Sequence, residues 1–274
     1  VPDPDPHRLV LIPSYNTGPR VLESVRDARR HWSPVWVVVD GSTDGTTELL
    51  QNAAAHDPGL DVLVLKTNSG KGAAVLHGLR EAQRRGFTHA LTMDADGQHD
   101  ASAIPSFMEL AASHPDAVIL GRPVFDDTVP AERRHGRKIS NLLANITTLG
   151  LGIADCLFGF RVYPITPLVH IMDHSRFMRH FDFDPEAAVR LVWAGHRPLC
   201  PPAPCRYFSP ADGGVSHFHY LRTNAVLTWM HARLLLECLP RLPRLLALRK
   251  QQKMEESRDR RQKTAPRKSR NSHQ

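Results

Sequence analysis

Asp94 and Asp96 stand two residues apart in the run Met93-Asp94-Ala95-Asp96-Gly97-Gln98-His99-Asp100, directly after the apolar stretch at residues 88–93. At the end of a strand, side chains two apart point the same way, so both carboxylates can face one spot. Two acids held together repel unless a cation sits between them. Their hard oxygens select Mg2+ or Mn2+, which keeps several waters and can bridge the two phosphates of a nucleoside diphosphate. An ion held there would act as a Lewis acid on the charge of a departing diphosphate. The plainer reading, a surface acidic turn, leaves the polarity of the neighbouring loops unexplained.

Three other polar clusters also come directly after apolar runs: Pro13-Ser14-Tyr15-Asn16-Thr17, Asp40-Gly41-Ser42-Thr43-Asp44-Gly45-Thr46 and Asn68-Ser69-Gly70-Lys71-Gly72. Asp40, Ser42 and Asp44 are all competent helix caps. A strand-end Asp40 beside an aromatic from the next strand, Tyr15, also suits a flat base that stacks on a ring and donates its edge N–H groups to the acid. The Gly70-Lys71-Gly72 turn is not a nucleoside-triphosphatase loop, because Leu65 replaces the required earlier glycine and Gly72 the Ser or Thr after the lysine. A dinucleotide fingerprint fails at Val75. A lysine and free amides at a helix start still suit a donor's phosphates, and a plain tight turn explains them equally well.

The elements that must position these loops alternate. Apolar runs at residues 8–13, 35–39, 61–65, 88–93 and 117–120 read as strands, and amphipathic stretches at 20–32, 73–85 and 103–113 as helices. Continuous apolar strands separated by helices predict an α/β, Rossmann-like fold: a mainly parallel sheet with helices on both faces and its ligand crevice at the strands' carboxyl ends. Beyond Gly121 the alternation weakens to a helix at 133–149, a strand at 158–163, a helix at 184–194 and a strand at 196–200, a half expected to carry the acceptor site. Asp184 is the first choice for a general base, should the acceptor be a hydroxyl, and helix capping accounts for it equally well.

Read together, PSYN, VDGSTDGT, NSGKGAAVLHGL, MDADGQHD and DCLFGFR, in this order over about residues 8–200, resemble family 2 glycosyltransferases, and within them the dolichol- or polyprenyl-phosphate mannosyltransferase-like branch. The resemblance implies a GT-A fold, a GDP- or UDP-linked nucleotide-sugar donor, a divalent cation and inversion at the sugar carbon. It implies that Pro13, Tyr15 and Asp40, with Asn16 in the same loop, hold the nucleoside, and that Asp94, Asp96 and Gln98 serve the metal and diphosphate. Lys71 belongs to the same donor site, and Arg122 and Arg161 match positions that bind the acceptor's phosphate. The sequence departs from the pattern at Thr17, where the family often has Glu, and at Val39, where it often has Asp.

The formal charge of +7 lies in residues 249–274, where ten Lys or Arg face three Asp or Glu, so residues 1–248 are neutral overall. Excess charge confined to one end points to contact with an anionic surface and not to a nucleic-acid groove built into the fold, and a tail that only aids solubility explains it equally well. Leu221, Ala225, Trp229, Ala232, Leu236 and Leu239 recur at helical spacing, and Pro240 and Pro243 then break the helix before a short leucine- and arginine-rich segment. The organisation expected is therefore a catalytic domain at 1–210, an amphipathic, membrane-associating helical segment at 211–250 and a basic tail without order at 251–274, the rival reading of Leu221 to Leu239 being an ordinary core helix packed on the domain. The 213–218 segment, with the Trp229-bearing helix and the Leu-Pro-Arg repeats after it, is similar to bacterial members that modify membrane lipids of the cell envelope beside acyltransferases, which implies a lipid acceptor and such a partner. Four scattered cysteines fit a reducing cytoplasm and offer no zinc site, and the acidic, proline-rich start is unlike a signal peptide. The enzyme expected is peripheral on the cytoplasmic leaflet. Rival readings are a nucleotidyltransferase, which also pairs acids with metal, and a nucleotide-sugar-binding protein without turnover.

Overall fold

The computed structural model describes residues 2–125, 131–205 and 220–264. Strands β1 (Arg8–Ser14), β2 (Val35–Asp40), β3 (Leu60–Leu65) and β4 (His89–Thr92) alternate with helices α1 (Arg20–His31), α2 (Thr46–Ala54) and α3 (Lys71–Arg84). Then come α4 (Ile104–Ser113), β5 (Val118–Leu120), β6 (Arg122–Phe125), α5 (Ala131–Thr147), β7 (Arg161–Pro164), α6 (Ile165–Asp173), α7 (Phe183–Ala194), β8 (Pro198–Leu199) and β9 (Pro202–Cys205). Helices α8 (Tyr220–Cys238) and α9 (Leu242–Thr264) complete the order.

The main sheet has the order β3-β2-β1-β4-β7-β5-β8. Its first four strands are parallel, β7 runs antiparallel to both β4 and β5, and β5 pairs parallel with β8. All six residues of β2 are buried, as expected of an uninterrupted Val-Trp-Val-Val-Val run between helix layers. One core layer joins Leu9, Leu11 and Trp36 to α3, α6 and α7, and the other joins Val10, Ile12 and Val37 to α1 and α4. This alternation of sides along β1 and β2 is the period-2 pattern of a sheet covered on both faces.

Most expected elements are present, and the differences have physical causes. Helix α6 and the small parallel sheet of β6 and β9 go beyond the expectation, the latter because Arg-Pro-Val-Phe and Pro-Ala-Pro-Cys carry prolines that argue against a strand. Helix is found from Leu242 to Thr264, so residues 251–264 are ordered in α9 where composition alone predicts none. The 213–218 segment and residues 265–274 lie outside the described residues. No helix among the described residues is long and apolar enough to cross a membrane.

Candidate active site

The carboxyl ends of β1, β2 and β4 are neighbours in the sheet, which brings their polar loops to one crevice. The β1 and β2 loops are laced together: the Asn16 N–H donates to Ser42 Oγ at 2.9 Å, and Thr43 N–H donates to Asn16 Oδ1 at 2.8 Å. Asp44 Oδ2 accepts from Gly18 N–H at 2.9 Å, and the Thr17 hydroxyl lies 2.6 Å from that of Ser14. Asn16 is thus a loop fastener, held at a φ of 46° that asparagine tolerates better than most residues. Pro13 is the penultimate residue of β1, paired with Val38, and Tyr15 comes directly after the strand.

Asp40 is buried at the end of β2, and its two carboxylate oxygens accept the N–H groups of Ser69 and Gly70 at 2.8 and 2.7 Å. It therefore fixes the turn that begins α3, a task different from the base contact expected of it. The turn is also pressed on the residues before α7. A Cβ on Gly72 would come within 2.2 Å of the Met178 carbonyl, so only glycine fits there.

The turn delivers Lys71 into the centre of the site. Its Nζ lies 2.7 Å from Asp94 Oδ1 and 2.7 Å from Asp184 Oδ2. Burial favours the neutral amine, yet Asp184 and then Asp94 outweigh it and hold the ammonium charged well beyond the ordinary lysine range. A lysine in the first turn opposes the helix dipole, so helix stability does not explain its position, whereas two carboxylates do. Lys71 thus faces acids, where the turn alone suggested phosphates.

Burial works to raise the Asp94 carboxyl, but Lys71 and then His99 hold it below the usual range. Asp96 goes the other way: burial and then the neighbouring Asp94 charge push it up. His99 is buried edge-on against Phe158, with ring centroids 4.7 Å apart. Its Nδ1 accepts the Asp94 backbone N–H at 3.1 Å, leaving the ring proton on Nε2, which faces Asp94 Oδ2 at 3.8 Å. Burial lowers the His99 pKa, keeping the ring neutral. Asp96 Oδ1 accepts from Gln98 N–H at 3.0 Å, which places the Gln98 backbone in the same turn.

Asp184 occupies the first turn of α7. Its Oδ1 is buried with no hydrogen-bond partner among the described residues. Behind it lies Arg161, fully buried in β7. Arg161 donates through Nε to the Phe158 carbonyl at 2.6 Å, through one terminal nitrogen to Tyr163 Oη at 3.2 Å and to the Asp184 carbonyl, and through the other to the Asp155 carbonyl at 3.5 Å. Buried among these groups, Arg161 positions the start of α7, a task different from the acceptor contact expected of it. Arg122, at the start of β6, is exposed.

Sequence reasoning assigned no role to His99, Gly159 or Asp155. A Cβ on Gly159 would stand 2.7 Å from Asp94 Oδ2 and 3.0 Å from Lys71 Nζ, so the glycine of Asp155-Cys156-Leu157-Phe158-Gly159-Phe160-Arg161 makes room for the cluster. Asp155 Oδ1 accepts the Leu157 and Phe158 N–H groups and pairs with Arg137 of α5 at 2.7 Å. The signal was the motif itself, whose glycine clears space for Lys71 and Asp94 and whose acid holds the loop backbone. Neighbouring Glu186 is fully buried against Arg190 and Arg233, which ties α7 to α8 and leaves it no catalytic freedom.

The donor set fits a divalent cation. Asp94 and Asp96 offer hard carboxylate oxygens, and Asp184, which shares Lys71 with Asp94, adds the unpartnered Oδ1. Among the described residues no group of three or more His, Cys, Asp or Glu side chains is arranged to hold a metal. Asp94 and Asp96 would therefore leave the remaining ligand positions to phosphate oxygens and water, as magnesium-type sites commonly do.

A parallel first half, then an inserted antiparallel strand, with paired acids at the end of β4, defines a GT-A fold. Residues 9–171 match the family described as Glycosyl transferase family 2, and the chain belongs to that family. The chain is 36% identical over 161 residues to the undecaprenyl-phosphate mannosyltransferase of Micrococcus luteus, covering 57% of this chain and 65% of that protein. It is 34% identical over 167 residues to the polyprenol monophosphomannose synthase of Mycolicibacterium smegmatis, covering 58% of this chain and 62% of that protein. The matches thus span just under two thirds of these relatives' own lengths. Among solved structures, a glucosyl-3-phosphoglycerate synthase from Mycobacterium tuberculosis with Mn2+, UDP-glucose and phosphoglyceric acid superposes with a TM-score of 0.60 at 15% identity, covering 85% of this chain and 79% of that one. A mannosyltransferase from Pyrobaculum calidifontis with GDP-Man and Mn2+ gives 0.55 at 18% identity, covering 90% and 76%.

Proposed function

We propose that the protein transfers a hexose from a GDP- or UDP-linked sugar to a polyprenyl phosphate at a membrane surface, with inversion at the sugar carbon. The observation that carries this reading is the placement of Asp94, Asp96, Lys71 and Asp184 in one cluster at the strand carboxyl ends. The resemblance to an undecaprenyl-phosphate mannosyltransferase and a polyprenol monophosphomannose synthase supports the polyprenyl-phosphate acceptor and makes mannose the first sugar to test.

The chain's residues divide the work. Asp94 and Asp96 would hold a divalent cation at the donor's diphosphate end, which would supply Lewis-acid stabilisation of the leaving group's charge. Pro13 and Tyr15 of the β1 loop flank the nucleoside, and Asp40 and Asn16 keep the two loops around it rigid. Lys71 limits the repulsion between Asp94 and Asp184 and so holds both carboxylates in place beside the sugar. Exposed Arg122 meets the acceptor's phosphate, whose oxygen is already an anion and attacks without a base.

A second reading, in which the acceptor is a lipid or glycan hydroxyl, has one observation in its favour: the unpartnered Asp184 Oδ1 could accept a proton. The phosphate acceptor is preferred because Asp184 already spends Oδ2 on Lys71. Thermal unfolding with GDP-mannose, UDP-glucose and UDP-N-acetylglucosamine, each with and without Mn2+, tests the donor half. One base should stabilise strongly and only with metal present. Equal shifts with all three, or none, would count against the reading.

A further inference from the structure

Helix α8 is apolar on two sides. Its inner face places Met230, Leu234 and Cys238 in the same core as Ala144 of α5 and Val189 of α7. Its outer stripe, the one that helical spacing singles out in the sequence, points away from the protein: Trp229 is 64% and Leu236 70% exposed, with Ala225, Ala232 and Leu239 exposed beside them. Packed alongside it, α5 repeats the pattern, with Ile139 62% and Leu142 60% exposed and Ile146 one turn on. Two helices side by side on one core turn their outward faces the same way, so the stripes form one surface.

An apolar surface of this kind on a soluble domain marks a contact, and its charges identify the contact. Within α8 the charged residues of the exposed span, Arg233 and Glu237, are tied to each other and to Glu186 and Arg190 and do not interrupt the stripe. At its edges the charge is positive. Exposed Lys138 precedes Ile139, and residues 241–253 contain Arg241, Arg244, Arg249, Lys250 and Lys253 with no acid. The start of α9 is fastened to the body by buried Leu245 and by Arg244 donating to the Ala194 carbonyl at 2.7 Å, while Leu246 stays exposed. Apolar side chains rimmed by cations, on helices too polar to span a bilayer, are the composition of an interfacial surface.

We infer that the outward faces of α5 and α8, with the basic start of α9, lie on an anionic lipid bilayer. The same α5 reaches the active site from its other side: Arg137 and Asn141 bind Asp155, which holds the loop carrying Gly159 beside Asp94. Docking through α5 therefore brings the crevice close to lipid headgroups, a consequence that rests on the proposed lipid-phosphate acceptor, whereas the docking itself does not.

The test uses the full chain, vesicles of phosphatidylcholine with phosphatidylglycerol, and vesicles of phosphatidylcholine alone. Wild type should float with the mixed vesicles, and lipids brominated on their acyl chains should quench Trp229. The exposed-face variant W229S/L236S should keep its circular dichroism and bind about a hundredfold more weakly. R249E/K250E should lose binding to mixed vesicles only and show a weaker salt dependence. Unchanged vesicle binding by W229S/L236S would overturn the inference. So would a concentration-dependent dimer that this variant dissolves while vesicle binding persists, because the face would then meet a second copy. Transfer to a short-chain, water-soluble polyprenyl phosphate should survive in W229S/L236S. Its absence in wild type would count against the functional reading and leave the docking result standing.

Discussion

Lys71 and Asp184, 113 residues apart in sequence, meet at 2.7 Å, and the same ammonium holds Asp94 at 2.7 Å. Removing the cation leaves two carboxylates facing each other in a largely buried place. Lys71→Met should cost about 3 kcal/mol of stability, the order seen when one partner of a buried pair is lost. Adding Asp184→Asn should recover part of that loss. Denaturant midpoints for the two single variants and the double variant measure the coupling, and strict additivity would show that the pair is not linked in solution.

Gly159→Ala places a methyl group 2.7 Å from Asp94 Oδ2. Transfer should fall about a hundredfold for a displacement near 1 Å at a reacting centre. Gly136→Ala in α5 is the control, because a Cβ there meets nothing within 4 Å. Steady-state rates with both proteins shown folded by circular dichroism decide the matter.

Asp40→Asn keeps one acceptor and turns an amide N–H toward a backbone N–H, so one of the Ser69 and Gly70 bonds is lost. The expected cost is about 2 kcal/mol, the penalty for an unsatisfied buried donor, with a rise in KM for the donor as the Lys71 turn loosens. Urea titration and initial rates report the two effects separately.

His231 is buried in α8 with neither ring nitrogen partnered among the described residues, and burial pushes its pKa down to about 4. The unfolded chain therefore binds the proton more readily than the fold, so stability is full above the unfolded value near 6.5 and is lost as pH falls from there toward 4. Between pH 7 and pH 5, wild type should lose about 2 kcal/mol more than a His231→Leu variant. Chemical denaturation of both proteins at the two pH values checks the difference.

The parallel first half was legible because its strands are continuous apolar runs and each ends in a polar loop. Tyr15, Asp40, Lys71 and Asp94 all stand at or soon after the carboxyl ends of the first four strands for that reason. Their individual partners were not legible. That Asp40 fixes the turn before Lys71 depends on the register of β2 against β3, and that Lys71 faces Asp184 depends on a helix more than a hundred residues later. Arg161 reads as an exposed cation until the antiparallel insertion of β7 buries it. Helical spacing identified the apolar stripe of α8, yet spacing cannot tell an inward face from an outward one. Met230, Leu234 and Cys238 took the core, which left Trp229 and Leu236 outside.

The most direct test tracks both products. Wild type and Asp96→Asn are incubated with GDP-mannose labelled in the sugar, undecaprenyl phosphate in detergent, and Mn2+. Label should enter the organic phase with one GDP released per sugar transferred, and Asp96→Asn should fall at least about a hundredfold, a loss of about 2.7 kcal/mol of transition-state stabilisation. Release of pyrophosphate or of nucleoside monophosphate, or transfer undiminished in Asp96→Asn, would contradict sugar transfer centred on Asp94 and Asp96.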